Sequence, residues 1–305
     1  MKRSAAAASE NGKTALKKAK LVQFEASFPK LDYFDATKKK SAKAPNAFKL
    51  DVFEKNNSSR LVEGLQYILK KDPSLSKYLE TPFGGYLKDD DGPKPLKHYF
   101  DSLVSGLISQ QISGKAAKAI KQKVIDNLSE DKELPTAEIF DSKSIQELRE
   151  CGLSYKKAEF VKRLSKAFIE SEEIPPEGVK FTDSYFTTTD DITINLDLQK
   201  FKGIGPWSAS MFLMFALQRY DIFEVSDLGI RRGATVYLSQ RPELLKEINA
   251  KLKELELPKL PKSSQNPKFV SDHVINCLAH QFVPYKSIWM LLLWRVSDTS
   301  VEALE

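Results

Sequence analysis

An apolar residue recurs every three or four positions in blocks from about residue 55 onward. Leu61, Leu65, Ile68 and Leu69 form the first stripe, and its period predicts an amphipathic helix. Asp72-Pro73 ends that helix and starts another, with Asp72 at the N-cap and Pro73 at the first helical position. The strongest stripe is Phe100, Leu103, Val104, Leu107, Ile108 and Ile112. Ser113-Gly114 interrupts it, and Ala117, Ile120, Val124 and Leu128 continue on a second helix. Gly152 reads as a helix stop and Ser154 as an N-cap, with Phe160, Val161, Leu164 and Phe168 as the next apolar face. A helix, a glycine turn and a second helix are expected over 197–219. Two more are expected over 227–239 and 241–255, and a closing pair over 270–282 and 285–297. The last is apolar nearly all round and is expected to be buried. Gly84-Gly85 to Pro95, the polar stretch 171–195 and Leu257 to Pro267 read as connections. No convincing strand emerges, so the expected fold class is all-α: about ten helices in a compact multi-helix domain.

Residues 1–50 show no such period. They are rich in Ala, Ser and Lys and read as a disordered basic tail, leaving 51–305 as the folded domain. The tail holds twelve Lys or Arg against four acids, +8, while the whole chain is +6 with a pI near 9.0. The remaining residues, 35 basic against 37 acidic, therefore sum to −2. Lys2-Arg3 followed by Lys17-Lys18-Ala19-Lys20 fits a two-part nuclear import signal as well as a solvated basic tail. No apolar run reaches the roughly 20 residues of a membrane span, and the N-terminus lacks the apolar core of a signal peptide. Two cysteines, Cys151 and Cys277, exclude a disulfide scaffold and a four-cysteine iron–sulfur cluster.

The sharpest local feature runs from Leu198 to Ala209, Leu-Gln-Lys-Phe-Lys-Gly-Ile-Gly-Pro-Trp-Ser-Ala. Gly203 and Gly205 allow a tight turn, and Pro206 suits the first turn of the helix that follows. The N–H groups of that helix start could face a phosphate, with Lys200 and Lys202 beside it, but an ordinary helical corner would look the same. No third glycine follows, so it is not a dinucleotide fingerprint, and Gly114-Lys115 lacks the first glycine of a P-loop. Asp227, within Phe223–Gly233, stands just before a helix. There it serves as an N-cap and faces the positive end of the helix dipole. His273, Cys277 and His280 share one helical face, with packing as the default reading.

Taken with Leu107–Ser113, Cys151–Ser154 with Lys157-Ala158, and Pro284–Ser287 running to Trp294, these motifs resemble the helix–hairpin–helix DNA glycosylases. The resemblance is nearest to DNA-3-methyladenine glycosylase II of fungal and bacterial type, over about residues 55–298. It implies two helical lobes with a cleft. Asp227 is implied as the catalytic aspartate. Trp207, Trp294, Met211, Leu228 and Tyr285 are implied in the base pocket, with bacterial relatives carrying aromatics where Met211 and Leu228 stand. DNA contacts are implied at Gln110, Gln111, Ser113, Lys200, Lys202, Gly203, Ile204, Gly205 and Ser208, with Gln111 as the wedge that fills the gap of an extruded nucleotide. The carbonyls of Gln199, Phe201 and Gly203 fall where the family binds K⁺ or Na⁺.

The implied activity is base excision of alkylated purines from damaged double-stranded DNA, in the nucleus, by a monomer without a catalytic cofactor or iron–sulfur cluster. Bifunctional relatives carry a Lys at the position of Trp207, and an indole cannot form their Schiff base, so no lyase step is expected. Two alternatives stay open at this point: a non-catalytic DNA-binding module on the same hairpin, and a glycosylase mainly for deaminated bases.

Overall fold

The computed structural model describes residues 2–35, 57–79, 83, 92–171, 173–259 and 266–298, and these are all-helical, without a strand. In chain order the helices are α1 (Lys2–Ala26), α2 (Ser59–Lys71), α3 (Leu96–Ser109), α4 (Gly114–Leu128), α5 (Ala137–Ser142), α6 (Ile145–Glu150) and α7 (Tyr155–Phe168). They continue with α8 (Tyr185–Thr188), α9 (Asp191–Leu198), α10 (Pro206–Phe215), α11 (Leu228–Ser239), α12 (Pro242–Leu252), α13 (Asp272–His280) and α14 (Lys286–Val296). Short 3-10 turns cover Asp32–Phe34 and Pro73–Leu79. Residues 36–50 of the basic segment, 84–91 of the Gly/Asp stretch and 260–265 of the Pro/Lys/Ser-rich stretch lie outside the described residues.

The helix starts are set by side-chain caps legible in the sequence. Ser58, Ser113, Thr136, Ser144, Ser154, Asp190, Asp227 and Ser271 each accept a hydrogen bond from a first-turn N–H. Gly152 sits at φ 99° after α6, as its reading as a stop requires. Asp72 ends α2 and accepts from Ser74 N at 3.1 Å, starting the 3-10 turn rather than an α-helix.

The contacts divide the chain into two compact units, Met1–Ala19 with Asp91–Leu217 and Lys20–Asp90 with Gln218–Glu305. The core of the first is aromatic. Phe168 packs on Phe100 at 5.1 Å and on Phe181 at 4.8 Å, and Phe186 packs on Tyr99 at 4.7 Å and Phe212 at 5.5 Å. This corrects the reading of 171–195 as a polar surface connection. Val179, Phe181 and Phe186 are buried, and α8 and α9 lie within that stretch and just beyond it. Their aromatic residues are too irregularly spaced to give a periodic signal, so tertiary packing decides their place.

In the second unit α14 is buried all round, as expected. It lies so close to α11 that a Cβ on Gly233 would stand 2.1 Å from the Leu293 carbonyl oxygen. A Cβ on Gly64 of α2 would likewise strike Ile288 and Tyr285. Trp289 stacks on Phe282 at 4.1 Å and meets Tyr237 edge-on at 5.0 Å.

In the N-terminal segment α1 spans Lys2–Ala26, and beyond it Phe28, Leu31 and Phe34 are buried. Gln281 accepts from Leu31 N at 3.0 Å, Glu247 accepts from Asp32 N and Tyr33 N, and Phe34 meets Phe282 at 5.4 Å. Ala and Lys have high helix propensity without any apolar stripe, and three scattered apolar residues suffice to dock the segment after it. His273 and His280 pack against Phe24 and Phe28, and burial pushes the Cys277 thiol up to about 12, so this face serves packing.

Candidate active site

The glycine turn joins α9 to α10 within the first unit. Asn195 of α9 donates to Ser210 of α10 at 3.2 Å and is itself held by Gln199 at the end of α9 at 2.6 Å, so one side-chain bond ties the two helices together. Gly203 sits at φ 94°, where other residues are strained, and a Cβ there would lie 2.3 Å from the Phe160 ring. Gly205 is the N-cap of α10 and offers no side chain, while a Cβ on it would meet nothing within 4 Å. Packing therefore does not demand glycine at 205; its effect is to leave the start of α10 uncovered. Trp207 and Ser208 follow Pro206 in that first turn, the place where helix N–H groups and dipole favour an anion.

The residues around the turn divide sharply. Lys202 is exposed. Lys200 is instead paired with Asp197 at 2.7 Å, and Asp197 also accepts from Tyr185, so its reading as a DNA contact is not what this geometry favours. Burial and the Asp197 carboxylate push the Tyr185 phenol far up. The Ile204 side chain is buried, which leaves only its backbone to the surface.

Gln110 turns inward on the protein, donating to Gly203 O at 2.7 Å and to Ser208 Oγ at 3.4 Å. Gln111 is exposed at φ 59°, Ile112 beside it is 38% exposed, and Ser113 caps α4 through Ala116 N. Met211 is buried in α10, whereas Trp207 is 36% exposed at its first turn.

At the hairpin the Gly203 oxygen accepts from the Gln110 amide at 2.7 Å and the Phe201 oxygen from Ile204 N at 3.0 Å, which leaves each carbonyl a second lone pair.

Asp227 belongs to the second unit. Glu224 accepts from both N–H and O–H of Ser226 and shapes the turn that delivers Asp227 to the N-cap of α11. The half-buried carboxylate then accepts from Ile230 N at 2.9 Å and from Trp294 Nε1 at 2.9 Å, both on Oδ1. Trp294 is 1% exposed. Its buried ring presents its N–H edge to Asp227. Leu228, next to Asp227, is 50% exposed. Tyr285 does not join them: its ring packs on Tyr67 at 5.4 Å and against Gly64. Arg231 is buried against Asp272 at 2.9 Å and Val225 O at 3.1 Å, whereas Arg232 is exposed.

Sequence reasoning missed two supports. Lys157 donates to the carbonyls of Ile108 and Gln110, and the Gln110 side chain braces the hairpin. Nothing in their local pattern separates such struts from surface residues.

Residues 104–256 match the model of the HhH-GPD superfamily of base excision DNA repair proteins. The chain belongs to this family. It is 36% identical over 243 residues to the DNA-3-methyladenine glycosylase of Saccharomyces cerevisiae, covering 78% of this chain and 80% of the relative. DNA-3-methyladenine glycosylase 1 of Schizosaccharomyces pombe is 30% identical over 148 residues, covering 48% of this chain and 61% of that one. Among solved structures, the DNA-3-methyladenine glycosidase of Bacillus halodurans superposes with a TM-score of 0.54 at 25% identity, covering 78% of this chain and 91% of that one.

Proposed function

We propose that this HhH-GPD protein is a monofunctional DNA glycosylase that removes alkylated purines, such as 3-methyladenine and 7-methylguanine, from damaged double-stranded DNA. A glycosidic bond inside a duplex is out of reach, so the nucleotide is first extruded, at a cost of a few kcal/mol. The hairpin turn and the start of α10 hold phosphate, Lys202 adds charge, and exposed Gln111 fills the gap left in the stack. Alkylation at N3 or N7 makes the purine a cation that leaves without strong acid help. Water adds to the sugar C1′, the base departs neutral with the glycosidic electron pair, one proton is released and an abasic site remains. Asp227 stabilises the oxocarbenium-like sugar and helps position the water. This chemistry calls for no cofactor.

The observation that carries the reading is the anchored carboxylate: Asp227, N-cap of α11, tied by Trp294 Nε1 at 2.9 Å, in a chain with this family's hairpin. The S. cerevisiae relative is named for the same activity. Trp207 occupies the first turn of α10, and an indole offers no amine for a Schiff base, which supports hydrolysis without a lyase step. Leu228, next to Asp227, is exposed, and Met211 is buried within α10. The basic pairs at Lys2-Arg3 and Lys17-Lys18 support a nuclear location, and a monomer meets every requirement of the reaction. Among the described residues no helix is long and apolar enough to cross a membrane.

The test is base release from methylated duplex, with released bases identified by mass spectrometry. Asp227→Asn keeps an N-cap acceptor and so the fold. It should abolish release and leave affinity for duplex within about threefold. A wild type that binds but releases nothing would make the protein a binding module, and release of hypoxanthine alone would move it to deaminated bases.

A further inference from the structure

We infer that Lys157 is a positioning residue for base extrusion: its ammonium fixes the Gln110–Gln111 corner so that Gln111 is held ready to enter the duplex. This rests on the reading of the protein as a base-extruding glycosylase and names a residue through which that step is controlled.

The geometry lies wholly within the first unit. Lys157 Nζ donates to Ile108 O at 2.6 Å and to Gln110 O at 2.8 Å, the last carbonyls of α3 and its exit. These oxygens end a helix and lack partners from within it, and a cation beside them also meets the negative end of the helix dipole. Lys157 itself is fixed, because it stands in the first turn of α7, where its backbone N–H is capped by Ser154 Oγ at 3.3 Å. On the other side of the corner, the Gln110 side chain is bonded to Gly203 O in the hairpin turn and to Ser208 Oγ in the first turn of α10. Gln110 is therefore held at its backbone by Lys157 and at its side chain by the hairpin.

The next residue is the one that matters. Gln111 stands at φ 59°, a conformation unfavourable for a residue with a Cβ, and its side chain is exposed. Such strain persists only where the surroundings over-determine it. The two bonds from Lys157 and the two from Gln110 supply that determination. Without the ammonium, the α3 exit relaxes toward ordinary backbone angles and Gln111 loses its fixed direction. A wedge that must be ordered on each encounter extrudes a base less readily than one already in place. Lys157 is placed to act on extrusion and not on phosphate binding, because its nitrogen is turned toward protein carbonyls.

The experiment compares wild type with Lys157→Met, which keeps the stem and removes the ammonium, and Lys157→Arg, which restores donors. Two duplexes are used. One carries a single 7-methylguanine flanked by 2-aminopurine, whose fluorescence rises on unstacking; the other carries a tetrahydrofuran abasic analogue, where no base need leave the stack. Lys157→Met is expected to lower the 2-aminopurine rise and the single-turnover release rate by tenfold or more. Its affinity for the abasic duplex should stay within about threefold of wild type, and its unfolding midpoint should confirm an intact fold. Lys157→Arg is expected to recover most of the fluorescence rise. Equal losses on both duplexes, or an undiminished fluorescence rise in Lys157→Met, would overturn the inference. If Lys157→Met unfolds, Lys157→Arg alone decides: a folded variant with a rise close to wild type supports the strut, and a lost rise counts against it. Should wild type raise the fluorescence without releasing base, the proposed hydrolysis fails while the positioning role is still read from the fluorescence.

Discussion

Trp294 donates its indole N–H to Oδ1 of Asp227 at 2.9 Å, and the same oxygen caps the N–H of Ile230 at 2.9 Å. Two donors from different helices, α14 and α11, thus fix one carboxylate. The approach of those helices is set by Gly233, whose absent side chain leaves room for the Leu293 carbonyl. A tryptophan that would otherwise be taken for a stacking surface acts here through its edge.

Replacing that edge is the direct check. Trp294→Phe keeps most of the buried ring and removes the donor. A hydrogen bond to a charged group contributes about 1.5–3 kcal/mol, so single-turnover base release should fall by roughly tenfold to a hundredfold, with duplex affinity nearly unchanged. A Trp294→Phe enzyme as fast as wild type would show that Ile230 N–H alone positions Asp227.

The neighbouring arginines give a contrast that sequence alone could not. Arg231 is buried on Asp272 and Val225 O, whereas Arg232 points outward. Removing one partner of a buried pair leaves the other uncompensated, so Arg231→Met should lower stability by about 3–5 kcal/mol in urea unfolding. Arg232→Gln should stay within about 0.5 kcal/mol of wild type. Equal effects would mean that the Asp272 pair is not formed in solution.

What could be read in advance was local. Asp227 as an N-cap, Ser154 as another and Gly152 as a stop all follow from residue type within one turn of helix, and each holds. The Trp294–Asp227 bond joins residues 67 positions apart, and no periodicity encodes which edge of an indole will face a carboxylate. Lys200 and Lys202 look alike in the sequence, yet only Lys200 has Asp197 one turn before it at i−3. The N-terminal segment carries no such local signal: α1 has no apolar stripe, and the stretch after it is held by Gln281 and Glu247, more than 200 residues away.

Asp72 links stability to pH. Burial pushes its carboxyl up, but hydrogen bonds from Tyr237 and Ser74 and the Arg241 charge outweigh that and hold it below its ordinary value. A depressed native pKa contributes stability that is complete above the unfolded value, about 3.9. That contribution is lost as pH falls from there through the native value. Wild type should therefore weaken as pH drops below about 4. Asp72→Asn should be less stable by about 1–3 kcal/mol at pH 7, and its urea midpoint should depend less on pH in that acid range. Parallel pH curves for the two proteins would remove Asp72 from the account.

Salt dependence tests how the body of the protein, with residues 51–305 summing to −2, can hold a polyanion. If binding uses local amides and a few cations, the slope of log K against log salt should correspond to about three to five phosphates, or roughly −2.7 to −4.5. Lys202→Gln removes an exposed charge beside Gly203 and should make the slope shallower by about 0.9, one phosphate's share. Lys200→Gln should leave the slope alone, because the Lys200 ammonium is bound to Asp197 at 2.7 Å. If both variants change the slope equally, the Asp197 pair opens when DNA arrives. If wild type shows no salt dependence, the hairpin does not hold phosphate and the extrusion step loses its anchor.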